Sequence, residues 1–443
     1  MSEKRTVGMV SLGCNKNRVD SEIALGLLRE HGWEFVQDPA EASVLLVNTC
    51  GFIGPAKEES IDAILEMAAF KQRGSCRLLV VTGCLAQRYG QELLDEMPEI
   101  DLLLGVNQYE RLLELVEAAL QEQKAPRVPY CTDTLAYYEH DRVLTTPGYS
   151  AYVRIGEGCS NRCAFCAIPL IRGKYRSRSR EAILGEGRAL VKQGVREHIL
   201  VAQDTTRWGT DGGGHSRLHE LLRDYAAIPG VDWLRVLYCY PDETSEALLD
   251  VIAETPNICS YLDLPFQHIN GDILRRMRRR GSADDIRRCV RLAKARGLTL
   301  RTSLIVGFPG ETEDQFQELL DFLAEARIDR VGAFAFSPEE GTPAADMPDQ
   351  IPEEVKQERL GRLMELQKQI SREQNGKRVG QTVRVLATTD AGPHGDAWGR
   401  SEAEVPESDG EIMFSARGSV RAGDFVNVRL LSAGDYDMAG EQV

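Results

Sequence analysis

Gly156 to Arg178 reads GEGCSNRCAFCAIPLIRGKYRSR, and it places Cys159, Cys163 and Cys166 in a C-x-x-x-C-x-x-C array on one short loop. Three thiols this close can hold three corners of a cubane iron-sulfur cluster, and the missing fourth ligand leaves one iron open to a small molecule. A structural zinc is the competing use. Closed zinc sites want four ligands, as paired C-x-x-C units or with histidines, and no His follows nearby.

Outward from this loop, 443 residues are too many for one typical core and imply two or three domains. At 42% hydrophobic and 27% charged the chain is ordinary globular material. No apolar run approaches the roughly eighteen residues needed to cross a bilayer, and the start, MSEKRTVGMV, lacks the apolar region of a secretory signal. The expected location is therefore the cytoplasm, with no membrane partner. In a reducing compartment clustered cysteines point to a metal or to catalysis, whereas scattered ones such as Cys76, Cys131, Cys239, Cys259 and Cys289 read as buried, inert thiols.

The formal net charge of -15 opposes a polyphosphate partner unless basic residues gather on one face, and it suits a basic one. The run Arg275 to Arg280 is either such a patch or the solvated face and last turn of a helix.

Upstream of the loop, short apolar runs alternate with helical periods: VGMVSLGC, SVLLVNTC, CRLLVVTGC and LLLG, each followed by a helix pattern. Strand and helix in repetition argue a doubly wound parallel α/β domain over residues 1–123, and such sheets bind ligands beyond the carboxyl ends of their strands. The first three strands each end in a cysteine, Cys14, Cys50 and Cys84. Neighbouring strands lie roughly 4.8 Å apart, so these thiols can converge on one cluster. They can equally be three core cysteines, because free Cys is often buried. Residues 124–150, with Pro126, Pro129, Pro147 and Gly148 among charges, read as a linker.

From residue 151 to 376, six strand-helix units follow: AYVRI, HILVAQD, WLRVLYCY, YLDLPFQ, LTLRTSLIVGFPG and RVGAFAFSP begin them. They argue a partial (β/α)6 version of the eight-fold barrel. Its reacting groups would gather at the carboxyl ends of the strands, with the cysteine loop, Gln203, Asp204, Gln267 and Gly307 to Glu311. The GFPGE stretch is either a backbone cradle for part of a nucleotide or a tight strand-to-helix turn. A long amphipathic helix from Pro352 to Asn375, stopped at Gly376, closes this region. After it, TVRVLATT, AWGRS, EIMFSA and FVNVRLLSA predict a small all-β barrel over 377–443.

With Phe165 directly before Cys166, the three-cysteine loop resembles the radical S-adenosylmethionine (SAM) enzymes. In that family the open iron chelates SAM and an electron from the cluster releases a 5'-deoxyadenosyl radical. Phe165, Gln203, Arg301, Thr302 and Gly307 are then the expected SAM contacts. A cysteine-bearing α/β domain ahead of that motif resembles the methylthiotransferases, which implies a second 4Fe-4S cluster on Cys14, Cys50 and Cys84, and the last barrel resembles their TRAM domain. TRAM domains usually accompany RNA, yet from Arg378 onward this one carries six Arg against eleven Asp and Glu, or 6 - 11 = -5.

SLGCNKNRVDSE, IRGKYRSR, VAQDTTRWG and FSPEEGTPA resemble the branch acting on ribosomal protein. The implied reaction is methylthiolation of an aspartate β-carbon in small-subunit ribosomal protein twelve, free or on the ribosome, with a separate electron donor and no nucleic acid as direct substrate. The rival readings are a tRNA adenosine methylthiotransferase and a non-catalytic iron-sulfur electron carrier. Removal of the last barrel is expected to spare SAM cleavage.

Overall fold

Each apolar run of the amino-terminal third becomes a strand of one sheet. The computed structural model describes residues 5–106, 108–122 and 142–443. The first part of the chain runs β1 (Thr6–Ser11), α1 (Asn15–Glu30), β2 (Glu34–Phe35), β3 (Val44–Thr49), α2 (Gly54–Ala68), α3 (Phe70–Arg73), β4 (Leu78–Gly83), α4 (Cys84–Glu96), β5 (Leu102–Leu103) and α5 (Leu112–Glu122). The sheet order is β2-β1-β3-β4-β5, and every pairing is parallel. β3 and β4 are buried at every position, because a parallel sheet with helices on both faces leaves no polar side. Leu45, Val47, Leu79 and Val81 pack with Ile64 of α2 and Leu93 and Leu94 of α4. The two-residue edge strand β2 was not anticipated; Glu34 and Phe35 are both exposed, and so short a segment carries no alternation to read.

Of the expected linker, 124–141 lies outside the described residues, as does Cys131. Where the chain is described again, Arg142 pairs with Glu22 of α1 at 2.9 Å, and the Thr145 amide donates to the same carboxylate at 2.8 Å.

The chain divides into two units, neither of them continuous in sequence. The first is Met1–Thr145 together with Glu157–Arg178 and Ser337–Ala345; the second is Thr146–Gly156, Ser179–Phe336 and Asp346–Val443. The cysteine loop thus packs with the amino-terminal domain, and the last barrel packs with the (β/α) strands.

In the second unit, β6 (Ser150–Arg154) leads to the cysteine loop, which holds β7 (Gly156–Glu157), α6 (Ile168–Arg172) and β8 (Arg176–Ser177). The chain then alternates α7 (Arg180–Lys192), β9 (Glu197–Val201), α8 (Leu218–Ala226), β10 (Trp233–Val236), α9 (Glu246–Glu254), β11 (Tyr261–Asp263), α10 (Gly271–Arg276), α11 (Ala283–Ala295), β12 (Thr299–Val306), α12 (Glu313–Ala326) and β13 (Arg330–Ala335), ending in α13 (Glu353–Gly376). The helices start where the sequence signals them: Ser179 and Ser245 cap α7 and α9, and capping boxes at Ser282/Asp285 and Thr312/Gln315 open α11 and α12. Strands β6, β9 and β10 form one parallel sheet and β11, β12 and β13 another, joined through a bridge between Leu234 and Ile258. This is the open six-strand barrel read from the sequence.

The final barrel closes in the order β14-β15-β16-β18-β17, from β14 (Thr382–Ala387), β15 (Asp396–Arg400), β16 (Ile412–Ser415), β17 (Phe425–Ala433) and β18 (Met438–Gln442). Four strands were expected; β18, with the sequence MAGEQ, is the fifth. It bridges β16 and β17, and too few β-branched or aromatic residues mark it. Ala397, Ile412, Phe414, Val428 and Leu430 fill the interior.

This barrel caps the amino-terminal ends of the (β/α) strands through buried charge. Glu197, the first residue of β9, accepts from Arg235 of β10 and Arg400 of β15 at 2.7 Å each. Arg330 at the start of β13 reaches Glu404 at 3.1 Å, and Tyr261 at the start of β11 donates to Asp409 at 2.6 Å.

Candidate active site

The β2-β1-β3-β4-β5 order reverses direction between β1 and β3, and ligands bind such sheets outside the carboxyl ends at that crevice. Cys14 and Cys50 follow β1 and β3, and Cys84 follows the adjoining β4. Cys14 immediately precedes α1 and Cys84 opens α4, so both lie at the positive end of a helix dipole. Cys14 is exposed, Cys50 half-buried and Cys84 buried.

The three thiols act on one another. Burial first, and then the neighbouring Cys14, push the Cys50 thiol up. Burial pushes Cys84 up to about 12, with Cys14 and Cys50 adding to the rise and the Arg172 guanidinium opposing it. The approach depends on two glycines in the left-handed region. A Cβ on Gly13 (φ +85°) would stand 2.9 Å from the Cys50 Cβ and 3.1 Å from its Sγ. One on Gly83 (φ +99°) would stand 2.4 Å from both the Asn48 Oδ1 and the Thr49 carbonyl.

Around the triad lies a buried polar network that the sequence reading did not pick out. Asn17, 1% exposed, donates to the Leu12 and Thr49 carbonyls at 3.1 and 2.9 Å and so ties the β1 and β3 loops together. Its Oδ1 accepts from Arg172 at 2.6 Å. Arg172, also buried, extends to the Cys84 Sγ at 3.5 Å and pairs with Asp20 at 2.8 Å and Glu157 at 3.2 Å. A signal existed in the polar run Asn17, Asp20, Ser21, Glu22, which buries four polar residues on the helix that begins just after Cys14. Helix periodicity alone puts such residues in solvent.

The cysteine loop is held to the same unit. The Cys159 amide donates to the Gly173 carbonyl at 3.0 Å, the Cys166 amide to Cys163 at 3.1 Å, and the Ala344 amide to Ala164 at 2.8 Å. Ala167 and Ile171 pack against Cys84 and Val106. Cys159 and Cys163 are buried, while Phe165 and Cys166 are half-buried. The segment Ser337–Ala345 is anchored by buried Glu339, whose carboxylate accepts from Lys57 at 2.8 Å, Arg88 at 3.2 Å and the Gly54 amide at 3.1 Å. Arg88 also donates to the Gly51 carbonyl, next to Cys50, at 3.1 Å.

The donor set fits iron-sulfur clusters. Each triad offers three thiols and leaves a fourth position to another ligand, and Arg172 and the helix ends supply positive charge beside the first. Among the described residues no group of three or more His, Cys, Asp or Glu is spaced to hold a single metal ion.

The expected SAM contacts are divided between the units: Phe165 lies in the first, and Gln203, Arg301, Thr302 and Gly307 in the second. Gln203 stands half-buried just past the end of β9. Arg301 and Thr302 are successive residues of β12 and leave opposite faces. Thr302 points away from solvent, donating to the Leu264 carbonyl at 2.8 Å. Arg301 pairs with Asp263 at 3.1 Å. The Gly307 amide is taken by Glu311 at 2.5 Å, and Glu311 also meets His268 at 3.0 Å and Arg359 at 2.8 Å. GFPGE thus makes a strand-to-helix turn that its own glutamate closes.

Known proteins share each part of this architecture. Residues 6–105 match the uncharacterized protein family UPF0004, 153–323 the radical SAM superfamily and 379–443 the TRAM domain. The chain is 17% identical to the radical SAM methyltransferase TsrM from Kitasatospora setae over 77% of each chain, with a TM-score of 0.58, which shows a common fold. The class so defined is a radical SAM enzyme with an added amino-terminal thiol domain and a TRAM barrel.

Within that class, the chain is 51% identical to the ribosomal protein uS12 methylthiotransferase RimO of Desulforamulus reducens, over 98% of this chain and 99% of the relative. It is 48% identical to the RimO of Heliobacterium modesticaldum over 99% and 95%. The chain belongs to the RimO methylthiotransferase family.

Proposed function

We propose that this chain adds a methylthio group to the β-carbon of an aspartate of ribosomal protein uS12. One observation carries the reading beyond family membership: the two cysteine triads lie in one unit, joined through Arg172. When bound, a 4Fe-4S cluster with SAM supplies a carbon-centred radical able to break an unactivated carbon-hydrogen bond, and a second 4Fe-4S cluster would hold the sulfur that is methylated and transferred. Cys159, Cys163 and Cys166 would hold the first and Cys14, Cys50 and Cys84 the second. Arg172 and Asn17 keep the second triad in register with the loop of the first, and Glu339 fastens the segment after β13 beside Cys50.

The net charge of -15 and the -5 balance of the TRAM barrel favour a basic protein over phosphate. The basic run supports this. Arg275 pairs with Asp272 at 2.7 Å and Arg280 meets Asp242 at 2.9 Å, so carboxylates offset the charge at both ends of the run. Among the described residues no helix is long and apolar enough to cross a membrane. The cytoplasm, where ribosomal proteins are found, is the location we assign, and a separate reductant is the electron donor.

The test uses reductant, sulfide and SAM with uS12 and with unmodified tRNA, followed by mass analysis of both. One methylthio group in place of hydrogen on an aspartate of the protein, with unchanged tRNA, is the expected product. Methylthiolated adenosine with unaltered uS12 would overturn the substrate.

A further inference from the structure

Arg172 is a cation beside two carboxylates, one amide oxygen and one sulfur, with almost no access to water. Its side chain is 2% exposed. One terminal nitrogen lies 2.6 Å from Asn17 Oδ1 and 3.5 Å from the Cys84 Sγ, and the other pairs with Asp20 at 2.8 Å and Glu157 at 3.2 Å. The same residue sits at the base of the other triad. The carbonyl of the next residue, Gly173, accepts the Cys159 amide at 3.0 Å, and Glu157 accepts the Gly158 amide at 3.0 Å. Burying a guanidinium costs several kcal/mol unless it is paired and hydrogen-bonded. Here Asp20 and Glu157 supply the pairing at one terminal nitrogen, and the other is shared between the Asn17 amide oxygen and the Cys84 sulfur.

We infer that Arg172 is a positioning residue that sets the reduction potential of the cluster held by Cys14, Cys50 and Cys84 and couples that cluster mechanically to the cysteine loop. The inference rests on the proposed second cluster. Hydrogen bonds to ligating sulfur and nearby positive charge stabilise the reduced, more negative state and so raise the potential. Asp20 and Glu157 hold the guanidinium in place and partly offset its charge. Charge and geometry therefore make opposite demands: removing Arg172 lowers the potential, whereas removing the charge of Asp20 raises it.

The experiment uses the full-length chain in which Cys159, Cys163 and Cys166 are replaced by Ala, reconstituted anaerobically, so that one cluster gives the signal. Iron content and midpoint potential, from EPR-monitored titration, are measured for this parent and for added Arg172→Gln, Arg172→Lys and Asp20→Asn. The expected result is iron retained throughout, a potential shifted down in Arg172→Gln, shifted less in Arg172→Lys and shifted up in Asp20→Asn. Unshifted potentials with iron retained would overturn the inference. So would shifts of one sign in Arg172→Gln and Asp20→Asn, or loss of iron from both Arg172 variants, either of which would leave Arg172 a fold-holding residue. A parent without iron would instead remove the second cluster itself, and the inference with it.

Discussion

Glu197 and Arg400 are 203 residues apart in sequence and form a buried two-point ion pair, with nitrogen-oxygen distances of 2.7 and 3.1 Å. Arg235 closes the other side of the same carboxylate and donates to the Ser401 and Glu402 carbonyls at 2.9 and 2.6 Å. The open (β/α) barrel and the TRAM barrel thus share one desolvated charge cluster. Neither side of it is complete alone.

This pair makes stability depend on acid. Burial pushes the Glu197 carboxyl up, but Arg400 and Arg235 outweigh it and bring it from 4.5 to about 2. A lowered carboxylate stabilises the fold fully above its unfolded value and loses that contribution as pH falls through the folded one. The contribution, about 3 kcal/mol at 1.36 kcal/mol per pH unit, should vanish between pH 4.5 and 2. Denaturant melts of the wild type and Glu197→Gln should differ most near pH 7 and converge across that window. A constant gap down to pH 2 would show that Glu197 titrates normally.

Deleting Arg378 to Val443 should abolish soluble protein rather than spare SAM cleavage. The sequence suggested a separable recognition module, but the deletion would leave Glu197, Arg235 and Arg330 without their partners across the cut. Breaking one buried pair typically costs 3–5 kcal/mol, and here several go at once. A soluble truncation that retains iron and cleaves SAM would restore the modular reading.

Reconstituted wild type should carry roughly eight irons per chain, from two cubanes. Replacing Cys14, Cys50 and Cys84 by Ala should halve the iron and leave SAM cleavage without substrate intact, whereas replacing Cys159, Cys163 and Cys166 should halve it and end cleavage. Full iron in the first variant would show that these three strand ends hold no cluster.

Glu339→Gln should loosen the segment Ser337–Ala345 selectively. The change strips the counter-charge from Lys57 and Arg88, at a cost of roughly 3 kcal/mol. Amide exchange in 337–345 should quicken while exchange in the TRAM barrel stays as in the wild type. Equal protection in both proteins would mean that backbone bonds such as Ala344 to Ala164 suffice.

Strand runs, helix caps and the local cysteine array were legible in the sequence because each depends on neighbours within a few residues. The period of two or 3.6 and the C-x-x-x-C-x-x-C spacing survive whatever the rest of the chain does. The placement of Cys14, Cys50 and Cys84 at one edge of the sheet was also legible, since each follows one of three parallel strands. β2 and β18 were not, because a two-residue edge and MAGEQ become strands through their partners.

The tertiary structure alone decided which unit the cysteine loop joins and what surrounds its thiols. Arg172 meets Asn17 across 155 residues and Glu339 meets Arg88 across 251, distances over which no sequence pattern reports a contact. Arg172, Asp20 and Glu157 each look like ordinary surface charges in the sequence. Only burial, which makes an unpaired charge prohibitive, selects which of the chain's many acids and bases must meet.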